Sequence, residues 1–453
     1  MEEVDTIEKV TELINNKKLN SLREFLIEVN SADFPSIIET LDDEKVIMVY
    51  RLLPKEKAAE VFIELDSDDQ EKLINCLTDA EIKNVMNEIY MDDAVDLIEE
   101  MPSNVVKRIL ANTKSADRKI INELLKYPDS TAGSLMTTEF IDLKENMTVE
   151  KAFDVIKEKG AQKRSVYNCY VLTVDRKLLG VLDIKNLLIA DREELVKDLM
   201  DTNVIKVNTL EDQEEVSKMF EKYDCVALPV VDKEDRLVGI ITIDDAVTVM
   251  HEEVLEDFEK MAAITPNDDT YFKTSSFTHA KNRILWLLLL MLSATITGTI
   301  MAHFESAIVA LPILVAFIPM LMDTGGNSGS QSSTLIIRGL AMDDISTKDI
   351  FKVIWKEFRV ALLCGVFLAL VNGVRIAIQY HNSEPQSILI AIVVSISLVL
   401  VIIVAKLLGG ILPIAAKKLK LDPAIMASPI ITTLVDIFAV YIFFMLSTII
   451  LHV

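Results

Sequence analysis

The chain has 453 residues, of which 51% are hydrophobic and 26% are charged, and its formal net charge is −24. The charge is divided unevenly, because residues 281–453 hold 12 lysines and arginines against 9 aspartates and glutamates, whereas residues 1–280 hold 34 against 61. This division excludes a simple soluble globular enzyme, and the acidic half would repel both nucleic acid and anionic lipid. Such an acidic surface attracts cations.

The four cysteines form no C-x-x-C pair. A disulfide or zinc framework is therefore not expected, and a reducing cytosol suits the acidic half. The first ten residues are acidic and polar, so no signal peptide is predicted.

Residues 1–128 are predicted to form an acidic N-terminal domain made of short amphipathic helices. Apolar residues recur at helical spacing, and the segment Ala58–Ser67 matches Ala94–Ser103 at an offset of 36. This weak repeat favours a small domain of stacked helices. Ser67 and Ser103 are predicted to be N-caps of the helices that follow them.

Residues 129–253 contain a clearer duplication, with copies at about 135–197 and 199–253. Leu135-Met-Thr-Thr138 opens one copy and Leu199-Met-Asp-Thr202 opens the other, 64 residues on. Each copy continues with a helical stretch and then alternating strands. This pattern resembles a pair of CBS domains, which are α/β modules that often sense nucleotides or ions. The second copy keeps Thr242 and Asp245, which the resemblance assigns to ribose and phosphate of a nucleotide such as ATP, whereas the first copy has Asp183 and Asn186 there.

Residues 254–280 are predicted to form a connecting helix that leads to the apolar half. An acidic run opens this helix and stacks like charges at the spacings 252/256 and 253/257, which costs about 0.2–0.5 kcal/mol per pair in an isolated helix. The run is either a solvated face, or a surface that divalent cations bridge to another acidic element such as Asp92, Asp93 and Asp96. Bridging of that kind would order the cytoplasmic domains.

Residues 281–453 are predicted to form an α-helical transmembrane domain with five spans. The spans are Ile284–Ala302, Ser306–Ile337, Val360–Val374, Pro385–Ala405 and Pro423–Val453, and apolar segments of this kind are long enough to cross a bilayer. Lysines and arginines crowd the connections before span one, between spans two and three, and between spans four and five. The positive-inside rule therefore places the N-terminus in the cytoplasm and the C-terminus outside.

Two features of this apolar half predict a path for a cation. Asp436 is the one charge in the fifth span, and a charge near mid-bilayer normally faces a cavity or a partner. The segment Asp323–Thr334 is too polar to face lipid and contains glycines whose carbonyls are good ligands for hard cations. The alternatives are an Asp436 that is protonated or capped by Thr432 and Thr433, and a small-residue packing face. Asp323-Thr-Gly325 also occurs in aspartic proteases, but a second such tripeptide is absent, which argues against proteolysis.

Over essentially its whole length, the chain resembles the MgtE family of magnesium channels. The matching motifs are Met91–Pro102, Tyr127–Met136, Gly326–Gln331, Arg338–Ala341 and the pattern from Asp422 to Asp436. The resemblance implies a homodimer with its pore on the two-fold axis, lined by spans two and five. It implies that Asp436 forms the selective cation site with Asn327, Gly325, Thr432 and Thr433.

The resemblance also implies that cytosolic Mg²⁺ binds between the helical domain, the CBS pair and the connecting helix and closes the channel. The sensor residues that it implies are Asp92, Asp93, Asp96, Asp224, Asp245, Glu253, Glu256 and Asp257.

The sequence thus predicts a Mg²⁺-selective, Mg²⁺-gated channel in the cytoplasmic membrane that takes up magnesium down its electrochemical gradient, and not an enzyme. No G-x-x-x-x-G-K-[ST] loop suggests ATP hydrolysis. Two alternatives stay open. One is a channel mainly for Mn²⁺ or Co²⁺, because oxygen ligands suit Mn²⁺ as well. The other is a membrane sensor that binds divalent ions and conducts nothing.

Overall fold

The structure is a computed structural model that describes residues 3–267, 271–380 and 386–452. The chain divides into two compact units, Met1–His251 and Glu252–Val453. The parts of the predicted organisation that lie outside the described residues are residues 1–2 of the N-terminal domain, residues 268–270 of the connecting segment, residues 381–385, which include Pro385 at the start of the fourth predicted span, and Val453.

The helical domain, residues 3–124, is a stack of short helices whose apolar faces form one core. Fully buried side chains of that core include Phe34, Phe62 and Ile109. The N-caps lie one residue before the predicted positions: Asp66 accepts a hydrogen bond from the Asp69 amide, and Pro102 precedes the first residue of the later helix. The helices are α1 Glu3–Asn15, α2 Leu19–Glu28, α3 Phe34–Ile38, α4 Asp43–Leu52, α5 Lys55–Glu64, α6 Ser67–Cys76, α7 Asp79–Glu88, α8 Met91–Glu100, α9 Ser103–Asn112 and α10 Ser115–Leu124.

The duplicated segment, from residue 132 onwards, has two copies of one topology, which confirms the duplication. In each copy the first strand pairs with the second in parallel, and the second pairs with the third in antiparallel fashion. The first copy contains α11 Ala132–Leu135, β1 Ile141–Leu143, α12 Val149–Lys159, β2 Asn168–Leu172, β3 Leu178–Asp183 and α13 Ile184–Ile189. The second contains α14 Val196–Leu199, β4 Val207–Asn208, α15 Gln213–Tyr223, β5 Ala227–Val231, β6 Leu237–Thr242 and the long helix α16 Ile243–Met261.

Equivalent glycines on β3 and β6 let the two copies exchange their opening segments. A Cβ added at Gly180 would lie 2.8 Å from the Met200 sulfur, and one added at Gly239 would lie 2.7 Å from the Met136 sulfur. Each Leu-Met-x-Thr segment therefore packs on the third strand of the other copy, and bridges between Thr137 and Ile240 and between Val181 and Asp201 complete the exchange.

The second unit is built from α17 Ser276–His303, α18 Glu305–Ala310, α19 Ile318–Ala341, α20 Ile350–Gln379, α21 Ser387–Lys418 and α22 Ser428–Leu451. Within the described residues, four helical segments are long and apolar enough to cross a membrane: Ser276–His303, Thr347–Gln379, Ser387–Lys418 and Pro423–Leu451. The prediction of five spans is therefore not confirmed by length and composition. The second predicted span falls short because it divides into α18, a 3₁₀ turn at Pro312–Phe317, and α19, whose middle is polar.

The helix predicted over residues 254–280 ends earlier in the structure. α16 stops at Met261, and Ala263 takes a left-handed conformation with φ of 55°. Pro266 follows three residues later and cannot continue a helix. The next helix, α17, begins only at Ser276, capped by the Ser275 hydroxyl.

Candidate metal sites

One face of α19 is polar and uncovered in a single chain. The exposed polar residues recur at a spacing of three or four and are Asp323, Asn327, Gln331, Thr334 and Arg338, and this spacing places them on one side of a helix. One apolar residue, Leu335, is exposed beside them. The Asn327 amide donates a 3.2 Å hydrogen bond to the Asp323 carboxylate. The opposite side of α19, with Ser328, Gly329, Ser332 and Ser333, is buried.

The polar segment is helical throughout, and its glycines permit close packing. A Cβ at Gly325 would lie 2.7 Å from a Val435 methyl group, and a Cβ at Gly326 would lie 2.9 Å from the Thr432 methyl group. These contacts bring α22 against α19 beside Asp436.

Asp436 is half-buried on α22, and its electrostatic interaction is with another carboxylate, Asp323. Among the described residues, no lysine or arginine forms an ion pair with either group. The two threonines do not cap Asp436: Thr432 donates to the Pro429 carbonyl at 3.0 Å, and Thr433 donates to the Ile430 carbonyl at 2.9 Å. The structure thus groups Asp323, Asn327 and Asp436, whereas the Thr432 hydroxyl is bound to the Pro429 carbonyl.

A second charged group in this unit was not singled out by the sequence. Lys406 of α21 and Glu357 of α20 are both buried, and the Ser332 hydroxyl of α19 joins them. The Lys406 ammonium donates to Ser332 at 3.2 Å, and Ser332 donates to the Glu357 carboxylate at 2.5 Å. Lys406 follows directly after the fourth predicted span and Glu357 precedes the third. Both charges were therefore visible in the sequence beside apolar spans, but the sequence did not show that the two helices pack together.

Three of the predicted sensor carboxylates converge on one arginine in the first unit. The Arg164 guanidinium lies 3.7 Å from Asp92, 3.3 Å from Asp93 and 3.3 Å from Asp245, and it also lies 2.9 Å from Asp244. Its side chain is 18% exposed. Arg164 lies 71 residues after Asp93 and was not among the residues predicted from the sequence.

Burial sets the protonation of this cluster. It raises the pKa of Asp92, with repulsion from Asp93 adding to the rise and Arg164 opposing it. It also raises the pKa of Asp93 and of Asp245, again against the effect of Arg164. Both carboxylate oxygens of Asp92 lack a hydrogen-bond partner among the described residues. A cation or a proton would satisfy them.

Two further predicted sensor residues, Asp96 and Asp224, form no ion pair with Arg164 in the part of the chain that the structure describes. Asp96 lies on the same helix as Asp92. Desolvation and the charges of Asp92 and Asp93 raise the pKa of Asp96. Because this residue is exposed, water screens that rise. Asp224 ends α15 in a left-handed conformation with φ of 50°. Within the part of the chain that the structure describes, no group of three His, Cys, Asp or Glu side chains is placed to hold a metal ion.

The predicted nucleotide residues Thr242 and Asp245 contact each other. The Thr242 hydroxyl donates to the Asp245 carboxylate at 2.5 Å, and the same carboxylate pairs with Arg164. Both groups are thus occupied by protein partners in this conformation.

The acidic run on α16 is linked to the turn before α22. Glu253, Glu256 and Asp257 lie on the second half of α16, and Glu256 pairs with Lys260 at 2.8 Å. Lys260 also pairs with Asp422 at 2.8 Å, and Asp422 caps the 3₁₀ turn Pro423–Met426. The Met426 carbonyl in turn accepts from Ser333 of α19. A carboxylate of the predicted sensor is therefore two ion pairs away from the segment that starts α22.

Comparison with known families accounts for most of this chain. The MgtE intracellular N domain matches residues 29–130, the CBS domain matches residues 132–193 and 196–252, and MgtE, described as a divalent cation transporter, matches residues 318–446. The magnesium transporter MgtE of Thermus thermophilus is 35% identical over 444 residues, which cover 97% of each chain. The chain belongs to the MgtE family of magnesium transporters. Magnesium transport is not an enzymatic function, in agreement with the sequence prediction.

Other MgtE relatives extend this result. MgtE of Bacillus subtilis is 35% identical over 366 residues, covering 81% of this chain and 80% of its own. The crystal structure of the soluble part of a magnesium transporter is 29% identical and covers 56% of this chain and 99% of that one, with a TM-score of 0.52. The cytosolic domain of the Mg²⁺ channel MgtE in complex with ATP is 32% identical and covers 54% and 99%, also with a TM-score of 0.52. These structures support the fold of the N-terminal half of this MgtE family member.

Proposed function

We propose that the chain is a homodimeric Mg²⁺ channel of the cytoplasmic membrane, closed when cytosolic Mg²⁺ binds its acidic half. Asp436 of each copy would hold the ion on the two-fold axis. Asp323, Asn327, Thr432 and the Gly325 region would surround it, and Thr433 would support the start of α22.

One observation carries the proposal: the polar face of α19 stays uncovered beside Asp436, and both carboxylates lack a basic partner among the described residues. A polar helix face among membrane-length apolar helices cannot stably meet acyl chains, so it lines water or protein. A second copy related by a two-fold axis would cover this face with an identical one. Two Asp436 carboxylates would then repel each other unless a cation lies between them.

A divalent ion suits such a site better than a monovalent one. The two Asp436 carboxylates alone carry two negative charges, which one divalent ion neutralises, and Mg²⁺ keeps several of its waters, so amide and hydroxyl oxygens can contact it through water. The membrane potential drives entry, because two charges gain about 4.6 kcal/mol per 100 mV on moving inward. We place the N-terminus in the cytoplasm on the same positive-inside grounds as above.

The sensor half of the proposal rests on two sets of contacts. Arg164 now fills the cluster of Asp92, Asp93 and Asp245, where cytosolic Mg²⁺ would replace it. Mg²⁺ bound at Glu253, Glu256 and Asp257 would draw Glu256 away from Lys260, and the Lys260–Asp422 pair would carry that change to the turn before α22. Asp96 and Asp224 would add ligands as the domains approach.

ATP is proposed as a second ligand of the CBS pair, because a related cytosolic domain has been crystallised with it. At the half with Thr242 and Asp245, ATP would have to displace Arg164 from Asp245. Titration of the purified full chain with ATP, in the wild type and in Thr242→Ala, tests whether that half binds it: weaker binding in the variant supports it, and equal binding places ATP elsewhere.

The proposed function is tested by ion uptake into liposomes that contain the purified chain. We expect Mg²⁺ to enter down its gradient without ATP, and Asp436→Ala to abolish entry while the variant keeps its fold and its cytosolic ion binding. Glu305→Gln, at a described glutamate of the same unit, is the matched control. Uptake that survives Asp436→Ala contradicts the pore assignment. Entry of Mn²⁺ or Co²⁺ that exceeds entry of Mg²⁺ favours a channel mainly for those ions. If the wild type takes up no ion at all, a non-conducting sensor is favoured.

A further inference from the structure

The second unit contains a buried lysine and a buried glutamate that the proposed ion pathway does not use. Lys406 is 5% exposed and Glu357 is 8% exposed. The Ser332 hydroxyl accepts from Lys406 at 3.2 Å and donates to Glu357 at 2.5 Å, and Lys406 also donates to the Ser328 carbonyl at 3.4 Å. One serine of α19 thus bridges, through two hydrogen bonds, an ammonium on α21 and a carboxylate on α20.

The local packing is shaped to bring these three helices together. A Cβ at Gly409 would lie 3.1 Å from the Ser332 Cβ and would collide with the Gly329 carbonyl, and a Cβ at Gly410 would lie 3.3 Å from the Glu357 Cγ. A side chain at Gly409 would push α21 away from α19, and one at Gly410 would crowd the Glu357 side chain of α20. The two glycines therefore let the helices approach closely enough for Lys406, Ser332 and Glu357 to contact one another. At a wider helix spacing the two buried charges would be unpaired, which costs free energy.

The network lies on the buried side of α19, next to its polar face. Ser328 and Ser332 each follow an exposed residue of that face, and the turn of about 100° per residue moves them from the exposed side to the buried side. In a poorly polarisable interior, an unbalanced charge one helix diameter from a passing cation acts on it strongly. A balanced pair acts much less.

We propose that Lys406 and Glu357 are a charge-balancing pair that sets the electrostatic potential of the pathway, with Ser332 as the positioning residue between them. This inference rests on the proposed channel function. Lys406 gives α19 a fixed internal cation, and Glu357 cancels that charge, so that the carboxylates of the pathway alone attract the permeant ion. Neither residue touches the ion, and it is the balance between their two charges that leaves the attraction to the carboxylates of the pathway.

The sign of the effect separates this role from simple packing. Glu357→Gln leaves Lys406 unbalanced behind the pathway, so we expect the half-saturating Mg²⁺ concentration for uptake to rise about tenfold. Lys406→Met leaves the negative charge of Glu357 unbalanced behind the pathway, so that this concentration should fall. The double variant restores neutrality and should return to within about twofold of the wild type. Lys418→Met, an exposed lysine of the same helix, is the matched control.

The experiment measures Mg²⁺ uptake by liposomes as a function of Mg²⁺ concentration, together with the thermal stability of each full-length variant in detergent. Opposite shifts in the single variants and recovery in the double variant support the pair. If both single variants raise the half-saturating concentration equally and the double variant does not recover, the residues only pack the helices and the inference is overturned. If the wild type and Lys418→Met take up no Mg²⁺, the proposed function itself fails, and the inference with it.

Discussion

Removal of the Arg164 charge is expected to loosen α8 and to expose a stronger cation site. In Arg164→Gln, two partly buried carboxylates, Asp93 and Asp245, lose ion pairs of 3.3 Å, and Asp92 loses the one at 3.7 Å. The contact with Asp244 adds little, because that side chain is 62% exposed. Breaking a buried pair costs about 3–5 kcal/mol, so a loss of about 3 kcal/mol is expected for this largely buried cluster.

Hydrogen exchange of α8 in the full-length chain measures this loss directly. We expect the amides of Met91–Glu100 to exchange faster by about two orders of magnitude in Arg164→Gln without divalent ions, as about 1.4 kcal/mol corresponds to tenfold. Arg23→Gln, an exposed arginine of α2, should leave α8 unchanged.

Addition of Mg²⁺ then shows whether Arg164 competes with the metal ion for the carboxylates or organises them to bind it. If Arg164 holds the place of a metal ion, the variant cluster keeps its carboxylates and loses its internal cation. Mg²⁺ should therefore restore protection of α8 at a concentration about tenfold lower than the one that acts on the wild type. Unchanged exchange in the metal-free variant would refute the stabilising role of the cluster. Loss of the Mg²⁺ response would show that Arg164 organises the site and does not compete for it.

Three further predictions follow from other contacts. The pKa of Asp92 is raised to about 7 and that of Asp93 to about 6 in the folded chain, so the folded state binds more protons than the unfolded state between about pH 4 and pH 7. Metal-free protection of α8 should therefore fall as pH rises through this range, and Mg²⁺ should reduce the fall. Protection that rises with pH in this range would contradict these shifts. Gly409→Ala should reduce the free energy of unfolding by about 1–3 kcal/mol, because the added Cβ would collide with the Gly329 carbonyl. The melting temperature of the detergent-solubilised chain measures this loss, and an unchanged value would show that the helices can move apart freely. Lys260→Met should weaken the inhibition of Mg²⁺ uptake by Mg²⁺ on the cytosolic side, and unchanged inhibition would rule out the Asp422 link.

The repeated parts of the fold were predictable because each copy carries its own pattern. The Leu-Met openings and the glycines of β3 and β6 recur in sequence, and the structure packs each opening on the glycine strand of the other copy. The end of α16 was also visible in principle, because Pro266 marks a helix stop that the acidic run obscured.

Charge pairs between distant elements could not be predicted in the same way. Arg164 precedes a strand in the first CBS copy, and its partners lie 71 and 81 residues away on other elements. Lys406 and Glu357 belong to different helices, and only the close approach of α19, α20 and α21 brings them to Ser332. Hydrophobic patterns give helix faces and lengths, but they do not give the register of one helix against another. In the second predicted span, the composition also did not show that the polar segment lies within one continuous helix, α19.

The central claim is that the side chain at position 436 faces water in a cation pathway, and a cysteine at that position tests it most directly. In a background without the four native cysteines, Asp436→Cys should conduct no Mg²⁺ and should react with a water-soluble thiosulfonate that attaches a sulfonate. The attached negative charge should restore part of the Mg²⁺ uptake, whereas a neutral reagent of similar size should not. Leu363→Cys, 74% exposed on the apolar surface of α20, is the lipid-facing control and should not react. An Asp436→Cys side chain that reacts no faster than this control, or uptake that ignores the attached charge, would contradict the account.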